Sequence, residues 1–207
     1  MSSVALAEEL LLLAYDDDGT ARVGSPTVDY ALACAVLAEL ALGGRIDLAD
    51  GRVAVRDARQ FGDAVLDGAL ARITGDDKAR KPTDWVSKLS ADLRETLLER
   101  QVAVGILRRE EGRVLWVFPR TTYPCIDDRP EREVRERLRT APDGDVLRDL
   151  VIAADLATAV FDKELPLSDD PHWTVRAVRT AIDEVQAAIA IAATTGAVTT
   201  IMTSGNT

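Results

Sequence analysis

Apolar positions recur along the chain with two periods, three to four residues in most segments and two in a pair of short ones. This pattern predicts helices interrupted by hairpins. Leu6 to Tyr15 is a first apolar run, a helix or a strand-like segment, closed by Asp16-Asp17-Asp18-Gly19, which is turn chemistry. Ser25 to Arg45 leaves almost no polar face, and between Ala31 and Leu42 only Glu39 is charged. A helix apolar on every side has to be surrounded, which makes this segment the central element. Ser25 is placed to cap it, Pro26 suits the first helical position, and Gly43-Gly44 supplies a left-handed stop.

Downstream, Ile46 and Leu48, then Val53 and Val55, alternate around Asp50-Gly51, the signature of a hairpin with a two-residue turn. Phe61 to Ile73 has apolar residues at helical spacing and predicts an amphipathic helix. The polar loop from Thr74 to Thr83 follows, with Lys78, Arg80 and Lys81. Trp85 to Val104 reads as one helix through Val86, Leu89, Leu93, Leu97 and Leu98. A second hairpin comes next, so helix-then-hairpin occurs twice. In it, Ile106-Leu107 and Val114 to Phe118 flank a turn at Glu110-Glu111-Gly112, and Pro119 ends the ladder because it has no N–H to donate. Glu131 to Arg139 is a charged helix with opposite signs at three- and four-residue spacing, a solvated face in this reading. Asp145 to Phe161 is one nearly all-apolar helix, a second central element, and Trp173 to Ala193 an Ala-rich final helix. The expected fold is mainly α, with central buried helices wrapped by amphipathic ones and two β-hairpins. It forms a single domain over residues 1–200 with a flexible tail at 201–207.

Composition narrows the function. At 207 residues and 47% hydrophobic, the chain can bury one sizeable core. Twenty-five basic against 35 acidic residues give a net charge of −10, which opposes non-specific adhesion to nucleic acid and repels an anionic bilayer. Any anion site must therefore be local. Cys34 and Cys125 are too few for a disulfide framework and fit a reducing compartment. The first residues carry no Lys or Arg, and Glu8-Glu9 interrupts the apolar stretch, so no signal peptide is read and a cytoplasmic location is expected. No apolar run reaches the ~20 residues that span a bilayer.

Catalysis needs convergent groups, and the chain offers one histidine, His172, at the start of a helix, where a capping or surface role is expected. Nucleophile elbow, phosphate loop, Cys/His metal spacing and dinucleotide fingerprint are all missing from the sequence. Three aspartates at Asp16 to Asp18 read as a solvated turn before a cation site. No enzyme, cofactor or metal is expected. Val114, Leu115, Trp116, Val117 and Phe118 form the chain's most conspicuous apolar stretch outside a helix. Read as a strand, it has Leu115 and Val117 on one face and Val114, Trp116 and Phe118 on the other. A ribbon apolar on both faces needs cover from its own core, another subunit or lipid.

Several segments, in this order, resemble the Golgi phosphoprotein 3 family, whose shorter members are bacterial: EELLLLAYDDDG, LAELALGGRI, LLERQVAVGILRREEG followed by VFPRTTYP, and DLVIAADLATAVFD. The resemblance covers nearly the whole chain. It implies a mainly α fold, no enzymatic activity, and peripheral membrane attachment through phosphatidylinositol 4-phosphate. In the family a hairpin mediates self-association and membrane contact, which implies the same role for Val114 to Phe118. The family's head-group Trp and Arg positions fall on Gly24, Ala33, Ser87 and Ser90, none of which offers the guanidinium donors a phosphate needs. The cations nearest to them are Arg22, Arg45, Lys88 and Arg94, the candidates for an anionic phospholipid head group on the inner membrane face. Two other readings remain. The helix and hairpin from Trp85 to Phe118 also fit a winged-helix regulator with Arg108, Arg109 and Arg113 on its wing, although Asp92, Glu95 and Glu99 spoil its recognition helix and no nucleic-acid partner is expected. A homo-oligomeric scaffold joined only through the hairpin is the third.

Overall fold

The computed structural model describes residues 5–114 and 118–184. Two helices come first, α1 (Ala5–Leu13) and α2 (Thr27–Leu42), followed by the hairpin β1 (Ile46–Ala49) and β2 (Arg52–Val55). Three helices, α3 (Ala64–Thr74), α4 (Pro82–Leu89) and α5 (Leu93–Ala103), lead to the second hairpin, β3 (Glu110–Val114) and β4 (Phe118–Thr122). The chain continues through α6 (Arg129–Arg139), α7 (Val146–Ala153) and α8 (Ala157–Phe161), and through α9 from 173 to the last described residue, 184. The fold is mainly α, and its two sheets are separate antiparallel pairs.

α2 is the centre of the core: every residue from Ala31 to Ala38 is buried, and α1, α3, α4, α5 and α7 all pack on it. Such a helix gains its stability from apolar area removed from water on every side, not from an amphipathic stripe. Its C-terminus is a Schellman motif. Gly44 adopts φ +70°, the Gly44 N–H reaches the Ala41 carbonyl and the Arg45 N–H reaches the Leu40 carbonyl, both at 2.9 Å. Its N-terminus differs from the expectation. Pro26 occupies the cap position and no side chain caps the helix, because the Ser25 hydroxyl donates to Asp29 at 2.5 Å.

Two predicted long helices are each broken in two. The run from Trp85 to Val104 divides at Asp92, whose φ of +61° cannot be accommodated inside a right-handed helix. The run from Asp145 to Phe161 divides at Asp155, φ +58°, where the Leu156 N–H returns to the Val151 carbonyl as in a second Schellman closure. In both, the apolar spacing runs on across a break that only the backbone angle reveals.

The first hairpin turns at Asp50 and Gly51, both with positive φ, as a type I′ turn requires. The second differs from the expectation. Glu110, Glu111 and Gly112 lie in β3 and form no turn, and Val114 pairs with Phe118 across the ladder. The two are thus cross-strand partners, which share a face as expected but belong to two strands and not one. Leu115, Trp116 and Val117, which join the strands, lie outside the described residues. Pro119 sits within β4 opposite Arg113; a two-stranded ribbon has open edges, and a residue without an N–H is tolerated there. The final helix beyond residue 184 and the tail at 201–207 also lie outside the described residues.

α6 is less solvated than its charge suggests. Val134 and Leu138 are buried, Arg137 makes two bonds to Glu9 of α1 at 2.9 and 2.6 Å, and Arg135 reaches the Ala159 carbonyl of α8 at 2.8 Å.

Candidate functional site

Each of the four candidate cations is held by a carboxylate of its own neighbourhood. Arg22 donates to the Tyr15 carbonyl at 3.0 Å and pairs with Asp16 at 2.7 Å. Arg45 bonds Asp57 at 3.2 Å and the Arg59 carbonyl at 2.8 Å, and stacks 4.6 Å over the Phe61 ring. Lys88 bonds Asp76 at 3.0 Å. Arg94 donates through Nε to Asp29 at 2.6 Å and through Nη2 to the Ser25 hydroxyl at 2.8 Å. They do not share one pocket: Arg94 is tied to the first turn of α2 and Arg45 follows its last, and a 16-residue helix separates its ends by roughly 24 Å.

The carboxylates respond to these partners. The bond from Arg80, with Lys88 second, holds Asp76 well below the usual carboxylate range. Asp57 is lowered to about 2, chiefly by its side-chain bond from Arg59. Burial works against the charge of Arg94, but the bond to Asp29, the charge of Asp29 and the contribution of Tyr15 together outweigh it, and the guanidinium titrates above its ordinary value.

Arg94 does line a cavity of about 650 Å³ between the start of α2, the start of α5 and β4. All three tyrosines of the chain, Tyr15, Tyr30 and Tyr123, line it with Arg109. Of the four positions the family resemblance marks, Ser90 borders the cavity, Ala33 is wholly inside the core, and Ser87 is exposed. The convergence of the tyrosines with Arg109, which the sequence placed only on a wing, went unread because the four come from separate stretches with no common spacing. The one available signal was that the chain has so few tyrosines.

The second hairpin rises from one side of this cavity, with Thr121 of β4 on the wall. Its strands pair chiefly with each other, and Glu110, Glu111, Gly112, Arg120 and Thr121 are all exposed. Its base is anchored: the Leu107–Cys125 bridge continues the ladder, and the Tyr123 and Cys125 amides donate to the carbonyls of Gly19 and Asp17. Gly19, φ +80°, lies so close that an added Cβ would sit 2.4 Å from the Tyr123 and Pro124 backbone. The Asp16 to Asp18 segment is thus an exposed turn packed only at Gly19, its Asp18 carboxylate accepting from the Thr20 N–H and hydroxyl.

Two of the three wing cations of the winged-helix reading are also neutralised: Arg108 pairs with Glu110, and Arg109 with Glu99 at 2.9 Å. His172 acts locally, its Nδ1 accepting from the Thr174 N–H at 3.4 Å at the start of α9; burial lowers its pKa. Among the described residues no group of three or more His, Cys, Asp or Glu is placed to hold a metal, and no helix is long and apolar enough to cross a membrane.

The chain is similar to vacuolar protein sorting-associated protein 74 of Eremothecium gossypii, 27% identical over 161 residues, which covers 66% of this chain and 48% of that protein. The protein of the same description from Schizosaccharomyces pombe is 28% identical over 160 residues, covering 65% and 47%. The chain thus spans about half the length of these relatives. The family model described as Golgi phosphoprotein 3 (GPP34) matches residues 6–202, and the chain belongs to that family.

Proposed function

We propose that this chain is a non-enzymatic, cytoplasmic adaptor that attaches peripherally to a membrane surface, with the β3–β4 arm as its apolar contact and the cavity beside it as its head-group site. The observation that carries the reading is the arm itself. A two-stranded ribbon with Glu110, Glu111, Gly112, Arg120 and Thr121 exposed is marginal in water, and the sequence ends it in Val114, Leu115, Trp116, Val117 and Phe118. Trp and Phe at such a position favour the water–lipid boundary. Family membership supports the same assignment. Because every candidate cation already has a carboxylate partner, attachment depends on inserted apolar area more than on charge.

The test is co-sedimentation with phosphatidylcholine vesicles. Changing Trp116→Ser together with Phe118→Ser is expected to abolish pelleting while leaving the circular dichroism spectrum intact. Unchanged pelleting would sink the reading. If light scattering shows that the same change turns an oligomer into a monomer with lipid binding intact, the arm serves self-association instead.

A further inference from the structure

We propose that the cavity between α2, α5 and β4 binds an uncharged ring carrying several hydroxyl groups, the chemistry of a sugar or of a glycolipid head group. The inference deepens the membrane reading by naming what the head-group site takes, and it rests on that reading only where the ring comes from a lipid.

Charge decides against a phosphorylated ligand. The cavity is lined by two cations, Arg94 and Arg109, against three carboxylates, Asp29, Asp92 and Glu95. Asp29 meets Arg94 at both Nε and Nη2, each at 2.6 Å, and Arg109 is held by Glu99 at 2.9 Å and Glu111 at 3.4 Å. A phosphate monoester carries about −1.5 to −2 charges near neutral pH, so it would have to displace a carboxylate that then stays beside it. Ionised phosphate also brings almost no donors.

Donors are what the cavity is short of. The Asp92 and Glu95 side chains and the Tyr30 hydroxyl make no hydrogen bond or ion pair among the described residues. Carboxylates only accept, so their natural partner is a group that donates, and a hydroxyl donates while its oxygen still accepts from Arg94 or a tyrosine. Tyr15, Tyr30 and Tyr123 line the cavity, and a tyrosine joins an apolar ring to a polar tip, a chemistry that suits a ligand ring apolar on its faces and hydroxylated at its rim. An ammonium ligand would satisfy the carboxylates but not the two guanidinium groups. The polyhydroxyl ring uses both.

The experiment has a soluble and a vesicle arm. In the first, methyl glucoside, methyl galactoside, methyl mannoside and myo-inositol are titrated into the intact chain, followed by saturation-transfer NMR. At least one is expected to bind. The exposed pair Asp92→Asn with Glu95→Gln is expected to weaken that binding by about tenfold, since Asn keeps the left-handed backbone and only the charged acceptors are lost. The same pair should strengthen binding of inositol 1-phosphate. The proposal is overturned if none of the four rings binds, if inositol 1-phosphate binds the unaltered chain more tightly than any of them, or if the double change leaves ring binding as it was. In the second arm, phosphatidylcholine vesicles with and without glucosyl diacylglycerol identify the lipid source, which a gain in pelleting supports. Equal pelleting of both, with free ring binding retained, removes the lipid source. Loss of pelleting in the Trp116→Ser, Phe118→Ser chain with free ring binding retained upholds both readings, whereas vesicle binding without ring binding overturns this one alone.

Discussion

Asp63 shows how much a single side chain carries. It caps α3, accepting from the Val65 and Leu66 amides at 2.9 and 3.2 Å, and it also takes two bonds from Arg100 of α5, which in turn reaches Glu8 of α1 at 3.3 Å. Burial raises its pKa, but the Arg100 bonds and the two amides prevail and the carboxyl titrates below its ordinary value. A depressed folded-state value contributes stability that is present above the unfolded pKa, near 4, and is lost as pH falls through the folded one. Asp63→Ala is therefore expected to destabilise the chain by about 2 kcal/mol at neutral pH, the scale of a lost cap, and by less at about pH 3. Urea denaturation at the two pH values measures both. An equal loss at each would mean the carboxylate's charge is irrelevant. Nothing in the spacing of Phe61 to Ile73 pointed to this residue, because a cap is read from what its side chain meets and not from apolar periodicity.

At the scale of elements, the sequence was most legible where burial alone sets the pattern. α2 and the Asp50-Gly51 hairpin were readable because an all-apolar stretch and a turn with two positive φ angles each have few alternative structures. The breaks at Asp92 and Asp155 were not, since the apolar residues on either side keep helical spacing while one aspartate adopts a left-handed backbone. The second hairpin was misplaced for a related reason: a charged, Gly-containing stretch resembles a turn, but in an exposed ribbon polar residues are ordinary strand positions. The site was less legible still. Arg94 was named as a head-group candidate and Arg109 only as a wing cation, and the cavity joins residues from opposite ends of the first 123 positions. Because α2 is enclosed on all sides, truncating it leaves a void that its neighbours cannot fill. Leu37→Ala, at a position with no exposed surface, is expected to lower stability by about 2–5 kcal/mol in urea denaturation. A loss below about 1 kcal/mol would contradict the enclosed arrangement.

For the whole molecule, net charge and local pairing point the same way. At −10 the chain is repelled at long range by an anionic bilayer, and Arg22, Arg45, Lys88 and Arg94 are each matched by a carboxylate before any ligand arrives. Membrane association driven by inserted apolar area gains from screening, whereas association driven by free cations is weakened by it. Pelleting with vesicles containing phosphatidylglycerol is therefore expected to rise or stay level as salt increases from about 0.05 to 0.5 M. A fall across that range would show that unpaired cations dominate after all.

The amides of Tyr123 and Cys125, at the root of the arm, are bound to carbonyls of Gly19 and Asp17, directly after the first helix. The ribbon is therefore moored to the turn after α1 as well as to α5, the helix that immediately precedes it, whose Glu99 holds Arg109. Loosening that turn would remove one of the ribbon's two footings, and a ligand settling against Tyr15 and Tyr123 in the proposed site would brace the same joint, tying occupancy of the cavity to the footing of the arm.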